Sequence, residues 1–276
     1  MKIDSKGLLT KSTDTDPAIS IRVKTDKTSG QFPNEDLPDT VVIHYTGGTT
    51  LAGAESTLID PNVKASAHLL VDYNGDIVQL VPFKYIAWHA GTSKFNGRNG
   101  LNKFSIGIEI VNPGYLIEQA DGRLKTEYSH VIDPANAEKR MHKNQSAERF
   151  WHNYTPEQIE SVEKICFALK SNYKIKYIVG HDEIAPRRKQ DPGPCFPIER
   201  LRTSIFDLRS LDEDEYPDTG VVTVDNLNIR ADAEATASKI AQPLKKDALV
   251  EIIEKKDGWY KVKTEITGWV SAKYIG

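Results

Sequence analysis

Cysteine is scarce: Cys166 and Cys195 are the two in 276 residues. Two are too few for a disulfide framework; they could make one bridge, and two free thiols is the plainer reading. Long apolar runs are missing as well. None approaches the ~18 residues of a membrane-spanning helix, so no membrane span is expected. Charge of one sign is not in excess either. Lys and Arg total 36, Asp and Glu 39, for a net charge of -3 and a pI near 6.2. Such a balance gives no bulk attraction to nucleic acid or to an anionic membrane surface, and neither is expected as a partner. The opening stretch from Met1 to Thr10 lacks the apolar core of a secretory signal peptide, which leaves the compartment open.

What is present is an ordinary globular composition, 39% hydrophobic and 27% charged, with a mean hydropathy of -0.47. The length suits one large or two ordinary domains. Residues 1–40 are polar and punctuated by Pro17, Pro33 and Pro38, and read as an extended arm. Val41-Val42-Ile43-His44, running into Gly47-Gly48, reads as a buried strand and a loop. Strands are also expected at Ser66–Val71 and Ile77–Val81 about an Asn74-Gly75 turn, at Ser105–Val111, and at Tyr177–Val179. Residues 113–150 read as a polar surface excursion. Thr155-Pro156-Glu157-Gln158 predicts a helix start with a capping box and proline at N1. Ile159, Val162, Ile165, Cys166 and Leu169 predict its apolar face. An acidic stretch at 211–222 reads as a linker, and 223–276 as short alternating strands. The architecture expected is α/β over 41–210, with a mixed central β-sheet flanked by helices, followed by a small all-β barrel.

Seven histidines occur, and two stand out by place. His44 and His181 each sit where a strand leaves the sheet, which is where open α/β sheets build their sites. The loop from Gly180 to Pro194 is stiffened by three prolines and returns Asp191 toward the histidine it left. Two His and one Asp leave a metal position open for water, the composition of a catalytic zinc site; a proline-braced surface loop is the plainer reading. Glu109 interrupts an apolar run and is either the solvent face of a strand or a proton acceptor at the metal. Lys189 is either one solvated charge beside Arg187 and Arg188 or a stabiliser of a tetrahedral oxyanion. A two-His-one-carboxylate iron site with Glu183 in place of Asp191 is the competing metal reading.

Five segments occur in order: Val42-Ile43-His44-Tyr45-Thr46, Ser66-Ala67-His68, Ala87-Trp88-His89-Ala90-Gly91, Ser105-Ile106-Gly107-Ile108-Glu109, and Gly180-His181 through Asp191-Pro192-Gly193-Pro194. Together they resemble the zinc-dependent N-acetylmuramoyl-L-alanine amidases of type 2, which share their fold with the peptidoglycan recognition proteins. The resemblance implies cleavage of the amide between N-acetylmuramic acid and the first L-alanine of the stem peptide. It implies one zinc ion (Zn2+) on His44, His181 and Asp191, Glu109 as general base, and Lys189 as the oxyanion partner. It puts Trp88, His89 and Asn112 among the substrate contacts, with His68 and His89 also candidates for packing behind the metal. His130, His142 and His152 are expected at the surface. A peptidoglycan-binding protein without catalysis is the alternative; competent residues at all five positions favour the enzyme.

The C-terminal order Leu227-Asn228-Ile229-Arg230, Gly258-Trp259-Tyr260-Lys261-Val262, Gly268-Trp269-Val270 and Tyr274-Ile275 resembles a bacterial SH3-like domain over 223–276. It implies attachment to cell wall, with Trp259, Tyr260, Trp269 and Tyr274 divided between core and binding groove. The expectation is therefore a monomer acting on peptidoglycan or muropeptides, either at the wall or on cytoplasmic fragments.

Overall fold

The structure, a computed structural model, describes residues 1–206, 219–256 and 259–264. The chain divides into two compact units, Met1–Ile205 and Phe206–Gly276.

Along the first unit, β1 (Lys2–Ile3) and β2 (Leu9–Thr10) form a small ribbon, followed by β3 (Ile19–Ile21), β4 (Thr40–Tyr45), α1 (Leu51–Ile59), β5 (Leu69–Val71) and β6 (Ile77–Gln79). A second ribbon, β7 (Lys94–Phe95) with β8 (Arg98–Asn99), precedes β9 (Ser105–Ile110). Then come β10 (Tyr115–Glu118), β11 (Leu124–Lys125), β12 (Val131–Ile132), β13 (Ala137–Met141) and β14 (Glu148–His152). The unit ends with α2 (Pro156–Asn172), β15 (Tyr177–Gly180), the single turn α3 (His181–Ile184) and α4 (Ile198–Ile205).

The main sheet has the order β15-β4-β9-β5-β6-β3. Its pairs are parallel except β5 with β6, which is antiparallel, so the sheet is mixed. β4 lies inside the sheet, between β15 and β9, and is wholly buried at Val41, Val42 and Ile43; a continuous apolar run is what a strand covered on both faces requires. β9 alternates instead. Ile106, Ile108 and Ile110 are buried on one face, which leaves Gly107 and Glu109 on the other.

Register sets the site. His44 lies opposite Glu109 and Val42 opposite Gly107. On the other flank Gly180 lies opposite Ile43, so His181 leaves β15 one residue later, beside His44. Three adjacent strands thus deliver His181, His44 and Glu109 side by side at their carboxyl ends. Val42, Val179, Ala90, Leu101, Phe95 and Ile184 pack as one apolar cluster at this part of the sheet.

The helix expected at Thr155 forms as its sequence dictates. The Thr155 hydroxyl accepts from the Gln158 N–H and the Gln158 side chain accepts from the Thr155 N–H, while Val162, Ile165, Cys166 and Leu169 are buried. Buried Gln158 also donates to the Val111 carbonyl at 2.8 Å, tying the helix to the end of β9.

Two expectations change. Residues 1–40 are not an extended arm: β3 forms an edge of the main sheet against β6, the Met1 amine meets Asp16 at 3.4 Å, and the buried Lys27 ammonium donates to the carbonyls of Asp60 and Val63. Strands of two or three residues are too short to show alternation in a sequence. Residues 113–150 are largely exposed, as expected of a surface excursion, but carry regular structure that their sequence pattern does not predict. They build a second, antiparallel sheet of order β12-β11-β10-β14-β13, with Leu116, Leu124 and Trp151 buried.

In the second unit β16 (Thr219–Val221), β17 (Leu249–Lys256) and β18 (Trp259–Lys263) form an antiparallel sheet. Val222, Val250 and Ile252 make its core, with Leu244, Ala248 and Val262 packed against them. Trp259 is half-buried and Tyr260 exposed. Trp269, Tyr274 and the acidic residues 211–218 lie outside the described residues. Among the described residues no helix is long and apolar enough to cross a membrane. Cys166 and Cys195 are free thiols, both with pKa raised by burial, that of Cys195 to about 11.

Candidate active site

His44, His181 and Asp191 meet in one buried cluster. His44 Nδ1 lies 2.9 Å from His181 Nδ1 and 2.9 Å from Asp191 Oδ2, and His181 Nδ1 lies 2.9 Å from the same oxygen. The loop that returns Asp191 is closed by its own backbone, the Asp182 N–H donating to the Asp191 carbonyl at 2.8 Å.

The outer nitrogens decide what these atoms present. His181 Nε2 faces the Ala90 carbonyl at 3.1 Å, an acceptor only, so Nε2 carries the proton and Nδ1 a lone pair. His89 Nε2 faces the Ser105 carbonyl at 3.3 Å and is therefore the donor of that ring. His89 Nδ1 then accepts from His44 Nε2 at 3.0 Å, which leaves His44 Nδ1 with a lone pair as well. Two imidazole lone pairs and a carboxylate oxygen are aimed at one point. Lone pairs so close repel unless a cation lies between them. Three donors 2.9 Å apart approach the edge of a zinc tetrahedron, roughly 3.3 Å for bonds of ~2.0–2.1 Å. The residues fit a zinc ion.

The electrostatics agree. Burial, then the neighbouring His181, pushes the His44 pKa down to about 4, which keeps its lone pair free near neutral pH. Burial alone would raise Asp191, but the contacts with His181 and His44 outweigh it and hold the carboxyl well below the usual range.

Glu109, opposite His44 on β9, is half-buried. Its Oε2 is buried without a hydrogen-bond partner. Burial and then the negative charge of Asp191 raise its pKa well above the ordinary carboxylate value, with Lys189 pulling the other way. The half-buried Lys189 is therefore close enough for its charge to be felt at Glu109, and it also disfavours protonation of His44.

The remaining expected residues lie around this cluster or away from it. His89 is buried behind His44 rather than lining a groove, with its ring over Gly107. A Cβ at Gly107 would come within 2.3 Å of that ring, so glycine here is what lets the imidazole lie flat on the strand. Asn112 is fully buried, and its carboxamide is spent on the chain itself: Nδ2 donates to the carbonyls of His152 and Asn153, and Oδ1 accepts from the Gly114 N–H. It braces the turn after β9 and leaves no group for a substrate. Trp88 is half-buried, its indole N–H donating to the Ser29 hydroxyl. His68 is buried, accepts from the Gly107 N–H at Nδ1 and meets the Tyr85 carbonyl at Nε2. His130 is exposed and His152 half-buried. His142 is 1% exposed, against the expectation of a surface residue. Glu183 cannot replace Asp191: one oxygen accepts from the Gly180 N–H and from Arg202, both at 2.6 Å, and the other meets Lys143 at 3.1 Å. Those contacts outweigh burial and lower its pKa.

Residues 34–194 match the family model described as N-acetylmuramoyl-L-alanine amidase, more than half of the chain. The chain belongs to that family. Its activity is hydrolysis of the amide joining N-acetylmuramic acid to L-alanine in peptidoglycan. Residues 225–276 match the bacterial SH3 domain. The chain is 30% identical over 192 residues to the 1,6-anhydro-N-acetylmuramyl-L-alanine amidase AmpD of Citrobacter freundii, covering 63% of this chain and 83% of that one. It is 34% identical over 170 residues to the N-acetylmuramoyl-L-alanine amidase AmiD of Escherichia coli, covering 58% and 51%. Among solved structures, a Se-Met AmpD derivative superposes with a TM-score of 0.51 at 27% identity, covering 74% of this chain and 99% of that one.

Proposed function

We propose that this amidase holds a single zinc ion on His44, His181 and Asp191, and that its substrate is polymeric cell-wall peptidoglycan, to which the C-terminal unit attaches it. The observation that carries the reading is the convergence of three lone pairs on one point beside an unpartnered carboxylate oxygen.

An amide is a weak electrophile with a poor leaving group. Zinc in a three-ligand site supplies Lewis acidity, polarising a carbonyl and making water nucleophilic near neutral pH. The chain's own residues supply the rest. Glu109 takes a proton from the attacking water as its oxygen bonds to the lactyl carbonyl carbon. Lys189 offsets the negative charge that develops on the carbonyl oxygen. Glu109 then returns the proton to the departing nitrogen as the C–N bond breaks, leaving a lactyl carboxylate and the free amino group of L-alanine. A carboxyl group is of the residue type that can make both transfers, as base in the first and acid in the second.

The wall reading rests on the match of 225–276 to the bacterial SH3 domain. Tethering by a second module raises the effective substrate concentration without altering the catalytic site. Removing 207–276 is expected to weaken co-sedimentation with peptidoglycan sacculi by about tenfold or more. Hydrolysis of a small soluble muropeptide should stay within about twofold of the full chain, because the attachment term is absent there. Equal sedimentation of the two proteins would remove the attachment role.

A further inference from the structure

His142 sits in a polar, mostly exposed stretch at the end of β13, yet it is buried. Its Nδ1 accepts from the Asn144 N–H at 3.1 Å, so the proton resides on Nε2. That one N–H reaches two acceptors, Asp182 Oδ2 and the Gln190 carbonyl, each at 3.1 Å. Asp182 follows His181 directly, and Gln190 directly precedes Asp191. A single imidazole from the β13–β14 connection therefore ties together the neighbours of the two proposed ligands that share a loop.

The grip is built rather than incidental. Asn144 Nδ2 donates to the Asp182 carbonyl at 2.9 Å. The Trp151 ring stacks on His142, with centroids 5.4 Å apart and planes at 23°. The same indole lies against Gly193, where a Cβ would come within 2.9 Å of it. Buried hydrogen bonds and a ring stack that meet at one imidazole favour one arrangement of the chain, and loss of the shared donor strands its acceptors.

We propose that His142 is a positioning residue for the metal site. It sets the spacing of His181 and Asp191, which makes the segment 113–150 a working part of the amidase. The inference rests on the zinc reading above. Imidazole Nε2–H and the amide N–H of glutamine occupy similar places, so His142→Gln keeps a donor that His142→Leu lacks.

The test is zinc affinity of the full-length protein by chelator competition, together with the visible absorption of the cobalt-substituted form, which reports ligand geometry without any turnover. His142→Leu is expected to bind zinc at least tenfold more weakly, in the range seen when groups behind the ligands are removed, and to show an altered cobalt band. His142→Gln is expected to recover affinity to within about threefold of wild type. Zinc affinity and cobalt band unchanged in a folded His142→Leu, whatever its thermal stability, would overturn the inference. If His142→Leu does not fold, Asn144→Ala serves: weaker zinc binding in it supports the brace, and unchanged binding overturns it. Wild-type protein that does not retain zinc would overturn the zinc reading and this inference together, whereas a zinc-binding wild type with indifferent variants overturns the inference alone.

Discussion

Glu109→Gln should leave a folded protein that still binds zinc and has lost hydrolysis by about 10²–10⁴-fold, the usual yield of a positioned acid–base group. Glutamine matches the shape and the half-buried setting but can neither take a proton from water nor return one to nitrogen. The same substitution should not destabilise the fold. Burial raises the Glu109 pKa, so in the metal-free protein folding holds that proton. The stability this gives is present below the ordinary carboxylate range and is lost as the pH rises through the raised value. A glutamine has nothing to lose, so metal-free Glu109→Gln should gain thermal stability over wild type as the pH increases. A melting series across pH beside a hydrolysis assay separates the two effects. Full activity in the variant would remove the general-base role.

Asp191→Ala is the second large effect. Asp191 is the one anionic member of the proposed ligand set, and both imidazole Nδ1 atoms lie 2.9 Å from its Oδ2. Without it two neutral nitrogens remain, and zinc affinity should fall by more than the ~100-fold that is the upper range when a group hydrogen-bonded to a ligand is removed. Hydrolysis should fall to background at ordinary zinc concentrations. Chelator treatment of wild type should give the same inactivity, reversed by added zinc, whereas added zinc should not restore Asp191→Ala. Metal content measured alongside turnover checks both.

Much of the site is legible in the sequence because its residues sit at strand ends. A β-branched run that stops at His44, another that stops at His181, and an alternating strand broken by Glu109 are local patterns, and parallel register then puts them side by side. The capping box at Thr155 is local too. What the sequence hides is contact between segments far apart in the chain. His142 lies 40 residues from Asp182, in a stretch whose composition is that of a solvated turn. Asn112 has a polar side chain beside the site in sequence, but its partners at 152 and 153 come from the end of β14, about 40 residues on. The strands of the first 40 residues are held by the edges they pair with, as β3 is by β6, and carry no pattern of their own.

The most direct test of the account is mass spectrometry of the products released when the zinc-loaded protein is incubated with peptidoglycan sacculi. The account predicts free stem peptides with an unblocked L-alanine amino terminus and glycan strands whose muramic residues end in a lactyl carboxylate, with Glu109→Gln releasing neither. Products cut within the peptide or between sugars, with the lactyl–alanine amide intact, would contradict it.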